Sequence, residues 1–208
     1  MQSETKLSST QNLIKISFLS TIAVILMQYG AIKLPALFPS FLEIDLSETP
    51  ALIAILAIHP MAGIVVVVMK NILKALLFGS STGYVGEFAN LLISIGYILP
   101  LTFIAKKKKD IKNVSLGILL GIVGITVVGA VVNYFVMIPL YAKIFMPMDT
   151  IINMGNAINP AITNLETLVL YAISPFNILK GTIVAIVSIV FIKSIYPVLR
   201  YFMPKKTI

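Results

Sequence analysis

No cysteine occurs in the chain, which excludes disulfides, a thiolate nucleophile and thiolate metal sites. Tryptophan is absent too, and His59 and Arg200 are the single histidine and arginine. Charge is scarce, on 12% of the residues. No G-x-x-x-x-G-K-[ST] phosphate loop is present, so any coupling to nucleotide hydrolysis must come from another chain. No paired acid and base, nucleophile with its base, or metal-ligating cluster stands at a persuasive spacing, and enzymatic activity is not expected. The start, "MQSETKLSSTQNLIKIS", lacks a small-residue cleavage site after a short apolar run, so the first helix is expected to stay in the membrane.

What the chain does have is apolar surface. Hydrophobic residues make up 58% of 208, and the mean hydropathy is +1.00. One core in a protein this size cannot hide so much, so lipid must be part of its solvent. The pattern predicts an all-α, polytopic membrane protein with six helices, at about 13–33, 49–59, 61–78, 86–105, 114–142 and 175–202. The second is only about ten residues, roughly 15 Å of helix, too short to cross hydrocarbon alone. A short helical piece, "TNLETLVLYAIS", is expected outside the membrane before the sixth. The whole of 1–208 reads as one membrane domain, with 34–48 as an external loop.

The net charge of +8 invites a nucleic-acid reading, but the positions of the lysines argue against it. Lys6 and Lys15 flank the first helix, "KKKKDIK" links the fourth and fifth, and Lys193, Arg200, Lys205 and Lys206 finish the chain. An even number of spans puts them all on one side, which the positive-inside rule makes cytoplasmic, with both termini. Glu43, Asp45, Glu48, Glu87, Asp149 and Glu166 fall on the opposite side. The lysine run is thus a topological anchor, and His59, before Pro60, a turn residue.

Polar residues inside the spans are left to explain. A charge at a helix centre costs about 2.5–3.5 kcal/mol on insertion scales and by default marks function. In "SPFNILKG", Ser174 and Pro175 read as the N-cap and first residue of the sixth helix. Lys180 then lies roughly 8 Å below its start, with Asn177 on the same face. Either Lys180 snorkels to the outer interface, or it and Asn177 form a donor pair facing an external cavity. Asn133, in the outer half of the fifth segment, either bonds a neighbouring helix or joins that cavity. Glu87 and Asn90 open the fourth helix, where an acid is often only a dipole partner. Lys70 and Lys74 share a face of the third and could reach Glu87 or the acidic first loop.

"FPSFLEIDLSETPALIAILAIHPMAGIVVVVMKNILKALLFGSSTGYVGEFAN" closely resembles the signature stretch of the riboflavin-binding S components of energy-coupling factor (ECF) vitamin transporters, the RibU family. It carries D-x-S-x-x-P-A-L, a P-x-A-G turn, K-N in the third helix and S-T-G-x-x-G-E-x-A-N, and "SPFNILKG" resembles the family's sixth helix. The resemblance spans about residues 13–196. It implies a six-helix protein of a prokaryotic cell membrane that captures riboflavin from outside, beneath the first loop, with no cofactor. Family contacts match Asn133, Asn177 and Lys180, with Phe41, Leu46 and Glu87 as further candidates. It also implies docking, through small residues of the first helix (here Ser17 and Thr21), on a shared module of a transmembrane coupling protein and two ATPases.

The chemistry suits that ligand. Isoalloxazine is flat, mostly apolar and uncharged, so a site needs apolar walls and a few convergent donors and acceptors. Phe41, Tyr84, Tyr134 and Phe176 are aromatics that could pack on the rings, Tyr134 being the one that reads best as core. The lack of an arginine fork favours riboflavin over its phosphate, FMN. An S component for biotin or for cationic thiamin, or an unrelated membrane scaffold, stands as the alternative.

Overall fold

The computed structural model describes residues 7–80 and 83–202. Lys6, Ser81, Thr82, Lys205 and Lys206 lie outside them, as do the side chains of Lys193 and Arg200. Helix α1 (Thr10–Tyr29) is capped by Ser9, whose hydroxyl accepts from the Asn12 N–H. It ends four residues before the expected position, at Gly30, because the chain then turns into a short strand, β1 (Ile32–Lys33). This pairs antiparallel with β2 (Glu43–Ile44), a small two-stranded ribbon in the loop of a chain that is otherwise helical, as expected. Helices α2 (Thr49–Ala57) and α3 (Ala62–Phe78) are separated by the expected turn, where the Met61 N–H donates to His59 Nδ1. Pro60 disfavours helical geometry at His59 and so stops α2.

Helix α4 (Val85–Lys107) follows a turn in which Gly79 and Gly83 have positive φ. Helix α5 runs unbroken over Ile111–Ile144, capped by Asp110, which accepts from the Asn113 N–H. A short amphipathic helix α6 (Met148–Asn156) leads to α7, which is continuous as Leu165–Leu168, Val169–Ile173 and Ser174–Phe202. Two expectations are corrected there. Ser174 does not cap a helix; the cap is Asn164, in a capping box with Thr167. The piece expected outside the membrane is the first part of the same helix, so Lys180 sits several turns in rather than near the start.

The cause is a pair of π turns, Asn133–Met137 in α5 and Val169–Ile173 in α7, which pack against each other. Ile138 N–H bonds to Asn133 O and Ser174 N–H to Val169 O, and in each helix a proline comes next: Pro139 and Pro175. Proline cannot donate the next ladder bond, and a wider turn accommodates the gap without ending the helix.

Buried apolar residues form two main groups. One joins α1–α5 and α7 through Ile16, Ala51, Leu52, Ile55, Val66, Ile98, Leu101, Ile125 and Val184. The other lies against the loop, with Leu42, Ile44, Ile138, Ile151, Ile162, Leu168, Ile173 and Phe176. Helices α4 and α5 meet through glycine. A Cβ on Gly124 would strike Gly96 O, and one on Gly121 would lie 2.5 Å from Tyr97 O. Outside, Phe18, Ile25, Leu76, Phe103, Leu119, Val127, Phe135 and Ile186 are exposed, an apolar belt suited to lipid. Among the described residues α1, α4, α5 and α7 are long and apolar enough to cross a membrane.

Candidate functional site

A cavity of about 300 Å³ lies between the 34–48 loop and the helices. The loop contributes Phe41, Leu42, Glu43 and Asp45; α3 and α4 contribute Lys74, Glu87 and Asn90; α5 and α7 contribute Asn133, Phe176, Asn177 and Lys180. Five of the six sequence candidates therefore line one space. Leu46 does not; it packs against the first core group. Of the aromatics, Phe41 and Phe176 line the cavity, Tyr84 is exposed, and Tyr134 packs in the second core group.

Asn133 is placed by the first residue of one π turn and Asn177 by the turn of helix after the other. Asn133 Nδ2 donates to Gly129 O at 2.8 Å and Asn177 Nδ2 to Ile173 O at 2.9 Å. Each amide commits one of its two N–H donors to its own helix, which orients the group and leaves its oxygen and second N–H for the cavity. Close approach of α5 and α7 is needed here, since a Cβ on Gly129 would lie 2.6 Å from Asn177 Nδ2.

Lys180 is 6% exposed and does not snorkel. Its Nζ donates to Asp45 Oδ2 at 2.8 Å and lies 3.9 Å from Glu48 Oε2. Asp45 Oδ1 accepts from the Ser47 N–H at 2.9 Å. Behind this pair, Lys70 Nζ, fully buried, donates to Ser47 Oγ at 2.6 Å and to Glu48 Oε1 at 3.0 Å, and Ser94 Oγ donates to the same oxygen at 2.8 Å. Two cations and two anions thus close a neutral buried set, which is how such charges survive out of water. Burial alone would raise the Asp45 carboxyl; the charges of Lys180 and Lys70 and the hydrogen bonds from Lys180 and Ser47 outweigh it and hold it well below the usual carboxylate range.

These contacts revise several expectations. Asp45 and Glu48, read only as acids of the external side, are the buried partners of Lys180 and Lys70. Lys70 does reach the first loop, while Glu87 accepts from Ser80 Oγ at 2.7 Å. Lys74 stands at the rim, its Nζ 5.9 Å from the Phe78 ring centroid. Sequence reasoning missed Asp45 as a cavity residue, and Ser47 and Glu48 as the buried groups behind it. The available signal was stoichiometric, since two lysines within helices call for two anions at the same depth.

Away from the cavity, Ser17 and Thr21 are exposed on α1, Thr21 Oγ1 donating to Ser17 O at 3.0 Å. In the lysine run, Lys109 does more than anchor: its Nζ donates to Ile55 O at 3.0 Å and Leu56 O at 3.1 Å, capping the end of α2.

Residues 11–192 match the family model for the ECF transporter, substrate-specific component. The riboflavin transporter FmnP of Bacillus subtilis (strain 168) is 36% identical over 187 residues, 88% of this chain and 91% of that protein. The riboflavin transporter RibU of Staphylococcus aureus (strain TCH60) is 37% identical over 192 residues, 91% of this chain and 93% of the relative. A solved structure described as the S component of a bacterial ECF transporter superimposes with a TM-score of 0.71 at 31% identity, over 91% of this chain and 97% of that one. With its loop-covered cavity and lipid-facing helices, the chain belongs to the substrate-specific components of ECF transporters.

Proposed function

We propose that this S component captures riboflavin in the cavity beneath the 34–48 loop and delivers it through an ECF module. The observation that carries the reading is the convergence of Asn133, Asn177 and Lys180, from two helices, on one cavity with apolar and aromatic walls. Relatives matching nearly the whole chain are named riboflavin transporters, which supports the same ligand here. Amide oxygens and an ammonium supply acceptors and a donor for the polar edge of the flavin or its ribityl hydroxyls. Phe41 and Phe176 offer ring contacts, Glu87 a rim acceptor, and Leu46 supports the loop from behind. Purified in mild detergent, the protein is expected to carry a yellow chromophore released on denaturation as riboflavin, and the stripped form to quench flavin fluorescence on titration. A protein that neither retains nor quenches riboflavin overturns the reading.

The single domain is taken to form six helices in a prokaryotic cell membrane, with both termini cytoplasmic. Lys109 supports this, because it ties the end of α2 to the same side as the link between α4 and α5. Single cysteines are expected to react with impermeant maleimide from outside at Ser40 and only after lysis at Lys108; the reverse inverts the topology. Docking is assigned to Ser17 and Thr21, on a module of one transmembrane coupling protein and two ATPases. Ser17→Trp with Thr21→Trp should abolish co-purification with that module while flavin quenching persists, and undiminished co-purification would move docking to another face.

A further inference from the structure

Asp45 and Glu48 are three residues apart yet belong to different bodies. Asp45 follows β2 in the loop that walls the cavity. Glu48 stands at the N-terminus of α2, its Oε1 held by Lys70 of α3 and Ser94 of α4. Its other oxygen, Oε2, is buried and accepts no hydrogen bond among the described residues, although the side chain is only 1% exposed. A buried carboxylate oxygen without a donor is costly and calls for a reason. The nearest cation is Lys180, whose Nζ is 3.9 Å away while bonded to Asp45 at 2.8 Å. Shortening that distance to a hydrogen bond requires a shift of roughly 1 Å, within reach of a lysine side chain.

Phe41, Leu42, Glu43 and Asp45 of the loop wall one side of the cavity and the helices the other, so an outward movement of the loop would widen the path for a rigid three-ring ligand. The loop's ribbon has only two residue pairs, and the Lys33–Glu43 ion pair on it is exposed on both sides. Leu42 and Ile44 pack the loop onto the second apolar group, and Asp45–Lys180 is the buried polar tie that resists opening. If Asp45 left with the loop and Lys180 had no other acceptor, a cation would stay behind unpaired at depth, and that cost would hold the loop shut.

We propose that Lys180 has two seats, Asp45 Oδ2 when the loop is closed and Glu48 Oε2 when it is open, so that Glu48 is a positioning residue for the open state. Asp45 moves toward water, where a carboxylate needs no partner. Glu48 then serves Lys70 through one oxygen and Lys180 through the other, with the opened cavity admitting water to screen the remaining charge.

The absence of cysteine makes the test direct. Ile44, buried in β2, is replaced in the full-length protein (Ile44→Cys), and maleimide labelling in detergent without ligand reads the open population. In the Asp45→Asn background labelling should rise by about tenfold or more, because the closed seat is lost. In the Glu48→Gln, Lys70→Met background, which removes a neutral pair together, it should fall by roughly threefold or more, because the open seat is lost. Glu48→Asp, which draws the carboxylate back while keeping the charge beside Lys70, should act in the same direction and serves if the double variant does not fold. Were Glu48 only a structural root for the loop, both variants would speed labelling; an increase or no change overturns the proposal. The ligand arm rests on the riboflavin reading. There, association and dissociation rates should fall together in the Glu48 variants while Kd stays within about twofold. A protein that binds no riboflavin sinks that reading and leaves the labelling result standing.

Discussion

The same helices are joined by different physics at their two ends. Beside the loop, α5 and α7 widen into π turns, amide side chains stay at the edge of a cavity, and four charged groups are buried against one another. Away from it, α4 and α5 press together through Gly96, Gly117, Gly121 and Gly124, backbone against backbone or side chain. Apolar burial drives no association between helices already in lipid, so close backbone approach has to hold the second region together. The first region gives up close packing to make a space with polar walls. Close backbone packing holds the second region together, and paired buried charges hold the first.

Substitutions in the two regions should therefore differ in whether ligand binding changes along with stability. Lys180→Met leaves Asp45 buried without its cation and removes a cavity donor, so riboflavin affinity should fall by at least roughly a hundredfold and stability by about 3–5 kcal/mol. Flavin quenching and a thermal melt check both, and unchanged affinity would remove Lys180 from the site. Gly124→Leu drives a side chain into the Gly96 backbone and should cost about 1–3 kcal/mol or more while leaving Kd near the parent value. A shift in Kd without loss of stability would show that the glycine contact serves the cavity instead. Asn133→Ala should lower affinity by about tenfold with little change in melting, since its amide bonds only its own helix.

The smallest effect is expected from pH. The folded-state pKa of Asp45 lies below its unfolded value, so its contribution is complete above the unfolded pKa of 3.8 and is lost only as pH falls below that. Binding should then be flat from about pH 8 to pH 5. A loss of affinity near pH 6 would mean that another group controls the loop.

Asn133, Asn177 and Lys180 were legible in the sequence because a polar group in a membrane helix is expensive wherever the neighbouring helices lie. Glu87 and Phe41 came from the resemblance and do line the cavity. Leu46, next to Asp45 in sequence, faces the core, because the loop turns inward at that point. Ser174-Pro175 was misleading for a local reason. That pair has the chemistry of a helix start, but here the proline follows a π turn in an unbroken helix. Pro139 repeats the arrangement, whereas Pro100 lies within the continuous α-helix α4, so proline inside an apolar segment does not by itself mark a π turn.

By itself, then, the sequence determined that this chain lives in lipid, where its long apolar helices run, and which polar side chains within them need a purpose. These follow from transfer free energies and hydrogen-bond requirements, which each residue carries with it. Only the tertiary structure decided that Asp45 and Glu48 of the loop, and not the rim acid Glu87, neutralise Lys180 and Lys70, and that two π turns meet at the cavity. Whether a loop carboxylate is solvated or buried depends on which cation the fold brings to it, here across 135 residues of chain.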